Sequence, residues 1–89
     1  MLQGKTKSGF EFTLDEERLD NYELLEALGE LEENVYQLPR IIKLLLGKEQ
    51  EKALKEHLKT EKGIVPSKIM EAELKEIFES VPTLNLKNS

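Results

Sequence analysis

Residues 38–47 are apolar on nearly every side of any helix that they could form. The segment reads Leu-Pro-Arg-Ile-Ile-Lys-Leu-Leu-Leu-Gly, and only Arg40 and Lys43 interrupt the aliphatic run. A helix that is apolar all round must be covered by its own chain or by a partner. The chain has 89 residues, of which 35% are charged, so it can build one modest core and little more. The segment therefore predicts either the centre of a small helical core or a surface that is shared with another protein.

Residues 10–14 alternate apolar and polar side chains, which is the period of a half-buried strand. We expect Phe10, Phe12 and Leu14 to face the interior. Residues 2–6 could pair back on this strand as a short hairpin. A lone two-stranded hairpin is marginal in water, so it must pack on helices or on the strands of another subunit. Its exposed edge could therefore serve in assembly.

Signals for helix starts and ends follow the strand. Asp20 is a good N-cap and predicts a first helix that runs to about Leu31. Pro39 suits the first turn of a second helix, because no N–H is needed there, and Gly47 suits its end. A third helix, short and polar, is expected over about residues 49–60.

The clearest helical period lies between residues 67 and 81, and Pro82 would stop this fourth helix. The sequence predicts a mainly α fold: a small bundle of about four short helices with an N-terminal β-strand or hairpin. We expect a single domain over residues 1–82, with the hairpin at about 2–14, and a flexible C-terminal tail at 83–89. The apolar face of the fourth helix holds Met70, Leu74, Ile77, Phe78 and Val81.

Charge is unevenly distributed along the chain. The net charge is −5, and residues 15–33 hold nine acidic residues and a single basic one, Arg18. An acidic surface repels the phosphates of nucleic acids, which argues against DNA or RNA as a partner. We expect a solvated acidic face that could also contact a basic partner. It contains Glu26, Glu30, Glu32 and Glu33.

Catalytic or metal-binding arrangements are not visible in the sequence. His57 is the only histidine, and a zinc site needs three or four ligands. The serines lack the context of a nucleophile elbow, and the five glycines are isolated, so no phosphate-binding loop is present. We therefore expect no enzyme activity, no cofactor and no metal.

The composition also bears on the compartment. The chain has no cysteine, which fits a reducing cytoplasm. No apolar run approaches the ~20 residues that span a bilayer, so we expect a soluble protein with no membrane partner.

The order of these segments resembles a known family. Residues 10–28, Phe-Glu-Phe-Thr-Leu-Asp-Glu-Glu-Arg-Leu-Asp-Asn-Tyr-Glu-Leu-Leu-Glu-Ala-Leu, resemble the opening of tail assembly chaperones from long-tailed (siphovirus-type) phages and prophages of Gram-positive bacteria. In that family a short strand precedes a helix of the pattern D-x-x-x-x-D-[DN]-[YW]-E-L-L-E. Residues 38–50 and the Gly-Ile-Val-Pro run at 63–66 are similar to the family's middle and end. The likeness spans roughly residues 8–78.

The resemblance implies a non-enzymatic role with protein partners. Such chaperones bind the long, apolar, helix-rich tape measure protein, keep it soluble and help to recruit tail tube subunits. They act in the host cytoplasm during assembly and are absent from the mature virion. Many are made in two lengths by ribosomal frameshifting, and the longer form would diverge at residues 83–89. We also expect this protein to form a homo-oligomer.

The surplus of apolar side chains in residues 38–47 supplies a candidate contact surface. Three small amphipathic helices are not expected to cover all of it, although the hairpin could cover the remainder. We expect contact with an apolar helical client, in the helix-in-groove mode. Under this hypothesis Leu45→Glu would keep its helicity but lose client binding, whereas loss of folding would make Leu45 a core residue. The candidate contact residues are Ile41, Ile42, Leu45 and Leu46.

One alternative stays open. A helix-turn-helix over residues 39–59, with Gly47 in the turn and the lysine-rich third helix as DNA reader, would make this a small phage-encoded transcriptional regulator or anti-regulator.

Overall fold

The computed structural model describes residues 2–80, which form an N-terminal antiparallel hairpin followed by four α-helices within that range. The mainly helical fold with an N-terminal hairpin is the predicted one. Val81, Pro82 and the predicted tail at 83–89 lie outside the described residues. The elements are β1 (Leu2–Lys5), β2 (Glu11–Leu14), α1 (Glu16–Leu19), α2 (Tyr22–Glu30), a 3₁₀ turn (Val35–Gln37), α3 (Leu38–Leu58) and α4 (Ser67–Glu79).

The hairpin forms because its turn and its inner face suit one register. β1 pairs antiparallel with β2, with Gly4 opposite Phe12. The turn is closed by Gly9 N–H, which donates to the Thr6 carbonyl at 2.9 Å, and Gly9 has φ +96°, a conformation that favours glycine. The ring of Phe12 lies over Gly4, where any Cβ would collide with it. Phe10, Phe12 and Leu14 are buried, as the alternation predicted.

The start of the first long helix differs from the prediction. The N-cap of α2 is Asn21, whose side chain accepts a hydrogen bond from Glu23 N–H at 3.0 Å. Asp20 instead ends α1, a single helical turn that the sequence reading missed. α1 forms because the Asp15 side chain caps it, accepting from Glu17 N–H at 2.9 Å. Two caps so close together make two short helices where one was expected.

α3 is the central element, and it is interrupted at Gly47. Pro39 lies in its first turn, as predicted. At Gly47 the backbone has φ 82° and ψ 166°, a conformation that is essentially limited to glycine, so the helix breaks there and resumes at once. The predicted second and third helices are therefore two helical segments of α3 that meet at Gly47, as predicted, and the second segment ends at Leu58, close to the predicted end at about residue 60.

The side chain of Arg18 packs against the kink at Gly47. Its guanidinium lies over Gly47, where an added Cβ would be 3.0 Å from Arg18 Nη2. Its Nη1 donates to the Leu44 carbonyl at 3.5 Å, just before the kink. α1 therefore sits where α3 bends, and the bend is supported from outside the helix.

The first half of α3 forms the centre of the core. Its large side chains pack in one cluster with the inner face of the hairpin and with side chains of α2 and α4. The expected surplus of apolar surface on this segment is wrong, because the hairpin and the flanking helices together cover it. Within residues 2–80, no helix has both the length and the apolar content needed to cross a membrane.

Candidate partner-binding surface

The four residues that the sequence proposed as client contacts are core residues. Ile41 and Leu45 have no exposed surface, Ile42 has 2% and Leu46 has 4%. A side chain that is covered by its own chain cannot contact a client without unfolding of the neighbouring elements. The assignment of Ile41, Ile42, Leu45 and Leu46 as partner-binding residues is therefore corrected: they stabilise the fold, and any contact surface lies elsewhere.

The acidic face projects into solvent. Glu26 and Glu30 lie one turn apart on α2, and Glu32 and Glu33 follow in the turn after it. All four side chains are exposed, and within residues 2–80 none of their carboxylates forms a hydrogen bond or an ion pair. Among the described residues, the only base paired with an acidic side chain of α2 is Arg40, whose Nη2 lies 3.5 Å from Glu23 Oε1. The negative charge on this side of the molecule is therefore largely uncompensated.

An apolar groove lies next to this acidic face, between the C-terminal parts of α2 and α4. We call it the α2–α4 groove. Its volume is about 420 Å³, within the range of small ligand pockets. It is open to solvent, and most of its surface is contributed by aliphatic and aromatic carbon. The lining residues are Leu28, Leu31, Glu71, Leu74, Lys75, Phe78 and Glu79.

The groove arises from the amphipathic pattern of its two helices. Leu28, Leu31 and Phe78 are only partly buried, although they pack against the core, whereas Leu74 is almost fully covered. The two helices bury their central apolar positions against α3, and the flanking positions remain open near their ends. Apolar side chains that the sequence reading assigned to the core thus form the floor of an accessible cleft.

Leu25 extends this apolar surface along α2. It is 50% exposed and lies three residues before Leu28, which places the two side chains on neighbouring positions of the helix surface. Sequence reasoning missed this surface because leucines at helical spacing look alike whether they are buried or half-open. The only signal available was that Leu24, Leu25, Leu28 and Leu31 form a wider apolar arc than one contact face requires.

A polar cluster joins the hairpin turn to α3 and α4. Glu73, only 3% exposed, accepts hydrogen bonds from the Thr6 hydroxyl at 2.8 Å and the Ser8 hydroxyl at 3.0 Å. His57 Nε2 lies 3.1 Å from Ser8 Oγ and 3.0 Å from the Ser8 carbonyl oxygen. The Lys7 N–H donates to Glu76 at 2.9 Å. These bonds fasten the turn to the two helices.

The same cluster contains serine, histidine and glutamate, but its hydrogen bonds differ from those of an activated nucleophile. The Ser8 carbonyl can only accept, so the nearby Nε2 of His57 acts as the donor. A nucleophilic serine would instead give its proton to that nitrogen. Here the Ser8 hydroxyl donates its hydrogen bond to Glu73, so the carboxylate contacts the serine rather than the histidine. The geometry therefore assigns these residues to holding the hairpin.

Metal-binding side chains are also scattered. Among residues 2–80, no three histidine, aspartate or glutamate side chains lie close enough together to hold a metal ion.

Comparison with protein-family models, with curated proteins and with solved structures found no match to this chain.

Proposed function

We propose that this protein is a non-enzymatic phage tail assembly chaperone whose client, the tape measure protein, docks as a helix in the α2–α4 groove. By holding apolar stretches of the client it keeps that protein soluble in the host cytoplasm. It then helps to recruit tail tube subunits and does not remain in the mature virion. The chaperone itself acts as a homo-oligomer. The family resemblance of residues 8–78 supports the class of function.

The observation that carries this proposal is the α2–α4 groove itself. A chain of 89 residues has little apolar side-chain surface to spare, since its core needs most of it. Here Leu28, Leu31 and Phe78 remain partly open, and exposed Leu25 lies three residues before Leu28 on α2. Helix-in-groove recognition needs an apolar cleft of this kind between two rigid helices. The site residues of the proposal are therefore Leu25, Leu28, Leu31 and Phe78, in place of the buried residues of α3.

Co-expression tests the proposal directly. The client is the long, coiled-coil-like protein encoded in the same gene cluster, and the readout is its soluble fraction. We expect the wild-type chaperone to raise that fraction severalfold. Leu31→Glu and Phe78→Glu should each abolish the gain, because a carboxylate in the groove opposes burial of an apolar helix.

Ile69→Glu is the matched control. Ile69 is 48% exposed, lies on α4 and does not line the groove. It should therefore leave client solubility unchanged. Circular dichroism and urea unfolding of each purified variant separate loss of binding from loss of folding. The proposal fails if the wild-type chaperone does not raise client solubility, or if Ile69→Glu removes the gain as completely as the groove variants do. Specific retardation of operator DNA would favour the regulator instead.

A further inference from the structure

We infer that the occupant of the α2–α4 groove is an amphipathic helix whose apolar stripe is flanked by lysine or arginine residues. This inference rests on the proposed function for the use of the groove, and it adds the chemistry of the partner. It is carried by the charges around the groove, which the apolar floor alone would not predict.

The length of the groove sets the length of the bound segment. Its α4 side runs from Glu71 to Glu79, a rise of about 12 Å at 1.5 Å per residue. That distance corresponds to about two turns of a bound helix, so two or three apolar anchors at i, i+3 or i+4, and i+7 would fill it. Phe78 faces these anchors from the α4 side, where Leu74 is almost fully covered, and Leu28 and Leu31 face them from the α2 side.

The charged residues at the groove and in the turn beside it are predominantly acidic. On the α4 side, Glu71, Lys75 and Glu79 lie at successive turns of the helix. No ion pair within 4 Å links Lys75 to either glutamate in the described part of the chain. Glu32 and Glu33 do not line the groove but immediately follow Leu31, and both are exposed and unpaired within residues 2–80. The α4 edge of a bound helix would therefore face two carboxylates, and the acidic turn after Leu31 adds negative charge close to the other edge.

This charge pattern selects among occupants. A second copy docked groove to groove would bring Glu71 and Glu79 of both copies close together, which like-charge repulsion opposes. A helix with acidic flanks would meet the same repulsion. A helix with basic flanks gains from Glu71 and Glu79 and from the acidic turn nearby, and an acidic residue facing Lys75 would complete the match. The partner is thus an apolar, basic helix.

Two synthetic peptides provide the test. Each has about 18 residues, a length at which helices begin to be stable, and the same leucine stripe. One peptide carries lysine at the flanking positions and the other carries glutamate there. We expect the lysine peptide to bind the full chain about tenfold or more tightly at low salt, measured by fluorescence anisotropy. Because exposed charges are screened, the difference should shrink to less than about threefold in 0.5 M NaCl.

Substitutions at the groove test which residues cause the preference for the lysine peptide. Glu71→Lys combined with Glu79→Lys should reduce the preference for the lysine peptide about fivefold or more. Glu49→Lys combined with Glu61→Lys changes the net charge equally, at exposed positions that do not line the groove. This control pair should keep most of the preference. Leu31→Glu should weaken binding of both peptides, since it changes the floor.

Each other result overturns the inference. If both peptides bind equally and Leu31→Glu weakens both, the charge preference is absent, while the groove as a docking site stands. If the glutamate peptide binds more tightly, or neither peptide binds, the assigned chemistry is wrong. If deletion of residues 83–89 raises peptide affinity tenfold, the chain's own C-terminal residues occupy the groove. If the free protein is a dimer that Phe78→Glu dissociates, the occupant is a second copy.

Failure of the proposed function is read separately. A clear lysine preference together with no gain in client solubility would remove the chaperone role and leave the basic-helix site intact.

Discussion

Leu45 shows how a single side chain can hold several elements of this molecule together. It has no exposed surface and belongs to the cluster that joins α3 to the hairpin, α2 and α4. Full burial of a leucine is worth about 1.5–3 kcal/mol relative to exposure. A small domain has a total stability of only about 5–15 kcal/mol, so replacement of this side chain by a charged one has large consequences.

We therefore predict that Leu45→Glu unfolds the protein. An unpaired carboxylate at this site costs several kcal/mol in addition to the lost burial. Far-UV circular dichroism should show loss of helix at 25 °C. Tyr36→Glu is the control, because Tyr36 is 87% exposed and its replacement should change the free energy of unfolding by less than about 0.5 kcal/mol. A Leu45→Glu protein with the helicity and urea midpoint of the wild type would contradict the burial of Leu45 in the core.

A pair of glycines gives a sharper test at the same scale. Gly4→Ala places a methyl group against the ring of Phe12, and we expect it to lower the free energy of unfolding by about 1–3 kcal/mol. Gly29→Ala has nothing within 4 Å of the new Cβ and lies inside α2. It should raise stability by up to about 1 kcal/mol, because alanine favours the helix. Urea unfolding of both variants measures the difference, and equal effects would contradict the packing of the hairpin.

Among the elements, α3 also protects the edge of the sheet. The Gln50 side chain binds β2 as a neighbouring strand would: its Oε1 accepts from Thr13 N–H at 2.7 Å and its Nε2 donates to the Thr13 carbonyl at 2.8 Å. The same Nε2 donates to the Leu46 carbonyl at 2.9 Å, next to the kink. One side chain thus joins the hairpin to α3 and satisfies backbone groups that would otherwise be open at an edge.

Removal of this side chain should loosen the hairpin. We predict that Gln50→Ala lowers the free energy of unfolding by about 1–3 kcal/mol, because part-buried backbone groups of Thr13 lose their partners. Hydrogen exchange of the Thr13 amide should become faster. Gln3→Ala, on the exposed face of β1, is expected to have little effect on either measurement. An unchanged exchange rate in Gln50→Ala would mean that Thr13 finds another partner.

Much of the element pattern could be predicted from local chemistry. The alternation of Phe10, Phe12 and Leu14 predicted the inward face of the hairpin, Pro39 predicted the first turn of α3, and Gly47 predicted the break. The prediction of Asp20 as the helix N-cap was wrong. Several residues near it can accept a backbone hydrogen bond, and the local sequence does not indicate which of them caps the helix. Asn21 and Asp15 take those roles in the structure.

At the scale of the whole molecule, charge and apolar surface are brought together on one side. Residues 15–33 carry the acidic excess, and the turn that ends this stretch meets the α2–α4 groove beside Leu31. The charge run could be recognised from composition. The α2–α4 groove could not be recognised in this way, because Leu74 and Phe78 are distant in sequence from α2 and reach the groove only through the packing of α4.

The sequence by itself determined the mainly helical class, the hairpin and the acidic character of the first half, because these depend on periodicity, local capping and composition. Only the tertiary structure decided which apolar side chains are covered. Ile41, Ile42, Leu45 and Leu46 were expected to be exposed and are buried, whereas Leu28 and Phe78 were expected in the core and stay partly open. Burial depends on what packs against a side chain, and those neighbours come from parts of the chain that no local pattern links.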